Sequence, residues 1–311
     1  MSFLPCKESR AGQRPRLAGR DAFFMSTSSH SIPDTTPSAA RRSFIRRHSL
    51  TVRATHWLNV LCLSFLLLSG LQIFNAHPRL YWGQYGADPD AALLSIGTRQ
   101  IGSASQGFLQ IGPLHVVTTG FLGVSDEGGS ATPRAFPTWL TIPSYHDLGA
   151  GRRWHFFFAW LLVLNGLLYL AHGFWRGHFR RDLLPNGSQL APRHLWHEIL
   201  DHARLRFARG EKARQYNALQ KLSYLVVVFG LLPLMVLTGL TMSPGLDAAF
   251  HFLPDLFGGR ASARTIHFVT AFLLVSFVVV HVVMVIASGL WNNVRSMLNG
   301  KYAITDEGVR P

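Results

Sequence analysis

Two histidines, His267 and His281, stand fourteen residues apart in a run that holds no acid, lysine or arginine between Arg264 and Arg295. At about 100° and 1.5 Å per residue, fourteen steps return to within about 40° of the same face, about 21 Å further along the axis. The run is long enough to cross a bilayer, which takes about 20 apolar residues. Ionisable side chains at that depth are costly and turn into a bundle interior. One imidazole per leaflet on one helix face is the arrangement by which a single helix ligates two haem irons, one above the other.

The partners these two rings require are also legible. Of fifteen histidines, three follow an arginine by three residues: Arg53–His56, Arg152–His155 and Arg264–His267. Each pair opens an apolar run. Side chains at i, i+3 share a helix face, so the guanidinium can reach the interface while the imidazole points inward. A haem needs both, imidazole on iron and a cation where the propionates meet water. Gly70 lies fourteen residues after His56, on nearly the same face, and is expected to let a porphyrin approach the backbone. His172 is the rival ligand to His56; otherwise it serves a quinone site or packing. His48, His77, His146, His178, His194, His197, His202 and His251 read as surface residues in loops, and His115 carries no assignment.

The elements that must position these residues follow from hydropathy. The chain has 311 residues, 48% hydrophobic, gathered into four blocks of about 20, which marks a multi-pass membrane protein. Spans are expected at 56–75, 154–175, 222–242 and 265–288, with Pro233 kinking the third. Residues 1–40 are polar and Ser/Pro/Arg-rich, expected as a disordered cytoplasmic tail. No apolar leader core follows the early arginines, and Met25 is an alternative start. The segment 76–151 forms a long outer stretch with turn signals such as Gly128-Gly129, and its apolar and aromatic patches at Tyr81–Tyr85, Phe108–Ile111 and Phe136–Tyr145 argue for order. The loop 176–221 carries an amphipathic helix near 193–209, and 301–311 reads as a polar cytoplasmic tail.

The net charge of +14 is spread by topology. Lys+Arg against Asp+Glu is 10 to 3 over residues 1–57, 10 to 4 over 176–221, and 3 to 5 over 76–151. Basic excess on alternate sides is the positive-inside pattern, so both termini are expected in the cytoplasm. His56 then shares a depth with His281, and His155 with His267, giving two bis-histidine sites. The basic cluster Arg41, Arg42, Arg46 and Arg47 is expected at the lipid surface. Nothing resembles a nucleic-acid reading element. Cys6 and Cys62 are too separated in context to pair, and no Cys-x-x-Cys-His or paired-cysteine metal motif occurs. The expected spans contain no Asp or Glu, which argues against a metal or solute transporter.

The stretches Arg53-Ala-Thr-His-Trp57 and Arg153-Trp-His-Phe156, with the His267 and His281 pair, resemble the bacterial b561-type cytochromes. That family includes the cytochrome b subunits of nickel–iron hydrogenases and thiosulfate reductase. The fourteen-residue pair also resembles the membrane subunit of formate dehydrogenase. The resemblance implies an all-α, integral-membrane four-helix bundle over 41–300 that holds two b haems and exchanges electrons with a quinone pool. The long outer segment favours a docked periplasmic redox subunit of molybdenum-cofactor or hydrogenase type. The alternative expectation is a stand-alone quinone-linked oxidoreductase of a small oxidant such as superoxide. The expected location is a bacterial inner membrane.

Overall fold

The computed structural model describes residues 42–305 apart from 88–89, 128, 178, 180–182, 186 and 205–217. The expected tail 1–40, residues 306–311 and the end of the expected 193–209 helix lie outside the described residues.

Among the described residues, four helical segments are long and apolar enough to cross a membrane, over 50–74, 148–175, 218–241 and 260–287. The first is α1 (Leu50–Phe74) and the second α2 (Leu148–Trp175). The third joins α4 (Ala218–Val226), a π-helical turn at Val227–Leu231 and α5 (Leu232–Thr241). The fourth is α8 (Arg260–Ala287). Each starts four to six residues before its apolar run, and in the first two a side-chain cap sets the start rather than hydropathy. Ser49 Oγ accepts from Val52 N–H at 3.3 Å and Asp147 Oδ1 from Ala150 N–H at 2.8 Å. In the third span the expected disturbance at Pro233 appears just upstream. Proline supplies no N–H for the i→i−4 ladder, and the helix passes through a π turn there, with Leu232 N–H donating to Val227 C=O.

Within the bundle α1 packs along α2, and α5 along α8. The two ends of the bundle differ. At the termini end, β1 (Arg42–Arg46) pairs antiparallel with β8 (Lys301–Thr305), Arg42 opposite Thr305 and Arg46 opposite Lys301. Between α8 and β8 lies α9 (Leu290–Asn299). The first five residues of the tail expected at 301–311 are thus a strand held by the N-terminal side. Also at this end is α3 (Pro192–Ala203), whose Glu198 carboxylate accepts from the Leu219 and Ala218 N–H groups at 2.9 and 3.3 Å, capping α4.

At the insert end the structure departs from an all-α fold. Residues 76–151 carry a four-stranded antiparallel sheet, β2 (Arg79–Leu80), β3 (Leu94–Ile101), β4 (Ala104–Ile111) and β5 (Leu114–Val117), in the order β2-β3-β4-β5. A hairpin of β6 (Gly123–Glu127) and β7 (Ser130–Arg134) lies beside it. Two-residue turns close the sheet hairpins, with Gly102 at φ 60° and Gly112 at φ 53°, where a Cβ would be strained. The insert shares a core with the helices: Leu71 and Phe74 of α1 are buried with Leu80, Ile96, Ala135 and Phe136. Arg134, 9% exposed, donates to Gln72 Oε1 at 2.5 Å, Ser144 O at 2.7 Å and Thr141 Oγ1 at 2.9 Å. Asn75 holds Phe136 by both backbone groups. Two short helices, α6 (Pro244–Ala249) and α7 (Phe252–Leu256), connect the third and fourth spans.

Candidate functional site

The four histidines singled out by spacing come together as two pairs. His56 on α1 faces His281 on α8 with ring centres 6.4 Å apart, and His155 on α2 faces His267 on α8 at 6.3 Å. The first pair lies towards the termini end and the second towards the insert end, so each pair bridges the α1/α2 half of the bundle and the half containing α8. Among the described residues no group of three or more His, Cys, Asp or Glu could hold a metal ion. Bare transition-metal sites take about four donors, whereas two opposed imidazoles suit axial ligation of an iron already held by a macrocycle. An imidazole nitrogen about 2 Å from a first-row metal on each side, and about 1.1 Å from its own ring centre, sets ring centres about 6 Å apart. Both observed separations meet that requirement.

The insert-side rings have matching surroundings. Ser69 Oγ lies 3.1 Å from His155 Nδ1, and Thr238 Oγ1 lies 2.9 Å from His267 Nδ1. Each hydroxyl donates to the carbonyl four residues back, Ser69 to Phe65 O at 2.6 Å and Thr238 to Leu234 O at 2.7 Å. The next residue in both cases is glycine. A Cβ on Gly70 would come 3.4 Å from His155 Cε1, and on Gly239 3.5 Å from His267 Cε1. These are ordinary van der Waals distances, so the rings alone do not demand glycine. Outside the helix around each glycine, no other described atom lies within 4 Å of either Cβ position. Gly70, singled out in the sequence for its place on the His56 face, stands beside the His155 ring.

Sequence reasoning missed Ser69, Thr238 and Gly239, although a signal existed. Leu68-Ser69-Gly70-Leu71 in α1 and Leu237-Thr238-Gly239-Leu240 in α5 are the same hydroxyl–glycine tetrapeptide, a short repeat that was not expected.

The termini-side pair is held differently. His56 Nδ1 is buried without a hydrogen-bond partner. The backbone around it is anchored instead. Asn165 of α2 donates to Thr55 O at 3.0 Å and to Asn59 Oδ1 at 2.7 Å. Trp57 Nε1 donates to Met297 O at 3.1 Å. His281 stacks on Phe277, one turn earlier, at 5.9 Å and 19°.

The three arginines have separate fates. Arg53 Nη1 donates to Leu298 O at 2.5 Å, so it is engaged by α9, an element the sequence reading did not anticipate. Arg264 donates to the His77 carbonyl and lies over the Phe74 ring at 5.5 Å. With Arg260, His77, Tyr81 and Tyr85 it lines a cleft of about 450 Å³ at the insert end. Arg152 is exposed. His172 enters neither pair; with Trp175 and Arg176 it lines a cleft of about 580 Å³ at the termini end of α2. His115 stacks on Phe108 across β4 and β5 at 5.2 Å. Cys62 is a buried free thiol, and Cys6 lies outside the described residues.

Comparison with known proteins places this geometry. A family model described as prokaryotic cytochrome b561 matches residues 47–300. The chain is also 27% identical over 238 residues to the putative protein-methionine-sulfoxide reductase subunit YedZ1 of Azospira oryzae, covering 76% of this chain and 89% of that protein.

Proposed function

The chain belongs to the prokaryotic cytochrome b561 family, and from that premise we propose that it is a di-haem b cytochrome carrying electrons between the membrane quinone pool and a periplasmic redox subunit. That it is a haem-b membrane electron-transfer protein follows from the family and the four apolar helices. The observation that carries the finer reading is the pair of imidazole couples with ring centres at 6.3 and 6.4 Å, stacked along one helix.

His56 with His281, and His155 with His267, would hold the two haems. Haem b between two imidazoles supplies a one-electron iron couple with no open coordination position, which favours outer-sphere transfer over small-ligand activation. The protein's part is to set ring orientation, spacing and dielectric. α8 fixes the spacing of the two sites through the fourteen residues between His267 and His281. Arg264 places a cation one turn from His267, where propionates would meet water. Arg152 would add charge at the same end from an exposed position, and Arg53 would do so near His56 while tied to Leu298. Gly70 and Gly239 would leave room beside the two rings for the edge of a macrocycle.

Basic excess at the termini end supports an inner-membrane protein with both termini cytoplasmic. The cleft beside His172 supports quinone exchange at that end. For the partner, the Azospira relative is described as a reductase subunit, which supports a catalytic subunit, of molybdenum-cofactor or hydrogenase type, docking on the insert. β5 offers the surface: it is an edge strand of the sheet, and Leu114, Val116 and Val117 are all exposed with no charged residue among them. Soluble proteins protect such edges with charge or cover, and an extended strand of a partner could pair with it.

The test is haem content. His281→Ala should lose the termini-side haem and spare the other. Equal loss of both would mean that the histidines do not form two independent sites.

A further inference from the structure

We infer that Ser69 and Thr238 are positioning residues that fix the tautomer of His155 and His267, present Nε2 of both rings to the iron, and tune the insert-side centre apart from the termini-side one. The inference rests on the di-haem reading and adds to it the residues that act through the ligands.

The proton inventory carries it. A hydroxyl has one proton and two acceptor positions. Ser69 spends its proton on Phe65 O at 2.6 Å, and Thr238 on Leu234 O at 2.7 Å. If either hydroxyl turned its proton to the histidine, two oxygen acceptors would face each other at that distance with no proton between them. Both side chains are fully buried, so water cannot relieve such a clash. Each hydroxyl therefore accepts, and His155 and His267 donate from Nδ1–H at 3.1 and 2.9 Å, with the Leu66 and Met235 backbone carbonyls as further acceptors beside them that demand the same tautomer. A neutral imidazole with its proton on Nδ1 keeps its lone pair on Nε2. The same device occurs twice, on different helices and against different rings, in the two Leu-Ser/Thr-Gly-Leu tetrapeptides. His56 on the other side has no such partner at Nδ1.

Donation from the remote nitrogen makes a ligating imidazole more basic and locks its plane. A more basic ligand favours ferric over ferrous iron. Removing the hydroxyl leaves each ring only its backbone carbonyl, weakens the donation, and should therefore raise the midpoint potential of the insert-side haem and leave the termini-side haem unchanged. The expected change is up to about ten-fold in the reduced-to-oxidised ratio at fixed ambient potential, which is about 59 mV for a one-electron couple.

The experiment is a spectroelectrochemical titration of purified, haem-loaded protein, after haem quantification, on wild type, Ser69→Ala, Thr238→Val and the conservative Ser69→Thr and Thr238→Ser. The inference expects one of the two potentials to rise in Ser69→Ala and Thr238→Val and to stay in place in the conservative variants. If Thr238→Val instead loses the insert-side haem, recovery in Thr238→Ser supports the hydroxyl's role, and loss in Thr238→Ser as well overturns it. Two bound haems with both potentials unmoved in Ser69→Ala and Thr238→Val overturn the inference and leave the di-haem reading standing. A wild type that binds no insert-side haem overturns the reading itself, and this is known before any potential is measured.

Discussion

The insert-side and termini-side histidine pairs have almost the same ring separation, 6.3 and 6.4 Å, yet they are positioned by opposite means. At the insert side each ring is gripped directly, by a buried hydroxyl at Nδ1 with a glycine beside the ring. At the termini side His56 has no grip on its own ring, and the helix that carries it is clamped on either side, through Thr55 to Asn165 and through Trp57 and Arg53 to α9. The first arrangement fixes orientation and proton position. The second fixes only location, leaving the imidazole to be oriented by its neighbours Trp57 and His281. On the di-haem reading, equal spacing with unequal support would let one helix, α8, serve two centres of different potential.

The largest effects should come from removing a ring. His281→Ala and His267→Ala are each expected to halve the haem content and to leave the spectrum of the remaining centre intact, read from reduced-minus-oxidised spectra. If the two variants leave the same residual spectrum, the two ends are not separate centres and the comparison collapses.

Next in size is an effect confined to the insert end. Val116→Lys with Leu114→Lys on β5 should stop electron delivery to the partner, while reduction by a quinol analogue proceeds at the wild-type rate. The substitutions sit on the exposed edge strand, away from the core of Phe74, Ile96 and Phe136. Replacing the whole insert would be a poorer test, because Arg134 and Phe136 tie it to Gln72 of α1 and to Asn75 at its C-terminal end. Unaltered delivery in the double variant would move the docking surface elsewhere.

A smaller effect sharpens the electrostatics of one end. Arg264→Gln should lower the insert-side potential, since a nearby cation favours the less positive ferrous centre. Arg152→Gln should lower it less, because its guanidinium is exposed and solvent and salt screen it. Redox titration of both variants checks this, and an equal shift would mean that burial does not govern the arginine effect. The smallest effect belongs to the termini side. Asn165→Ala removes two buried hydrogen bonds near His56, worth about 1 kcal/mol each. It should lower the melting temperature of the holoprotein without shifting the insert-side potential.

Much of this was legible in the sequence, for a definite reason. Ionisable side chains in apolar runs are conspicuous, and the helical repeat assigns their face and depth, so His56, His155, His267 and His281 could be grouped before any coordinates. Helix ends were less legible because Ser49 and Asp147 cap outside the apolar run. The strands of the insert were hidden because Leu94–Ile101 and Ala104–Ile111 mix small and polar residues, and their pairing depends on partners distant in sequence. The hydroxyl grips were overlooked because serine or threonine in a span most often bonds its own helix. Ser69 and Thr238 do that too, and only the tertiary fold shows that the same oxygen also meets a histidine. Arg53 pointed to a propionate role, but its bond to Leu298 depends on α9 folding back beneath α1.

The central claim is two haems held by two histidine pairs, and the most direct measurement is the haem-to-protein ratio of the purified wild-type chain by pyridine haemochrome. The account expects two haem b per chain. A ratio of one would contradict it, because one of the two pairs would then have no group to hold.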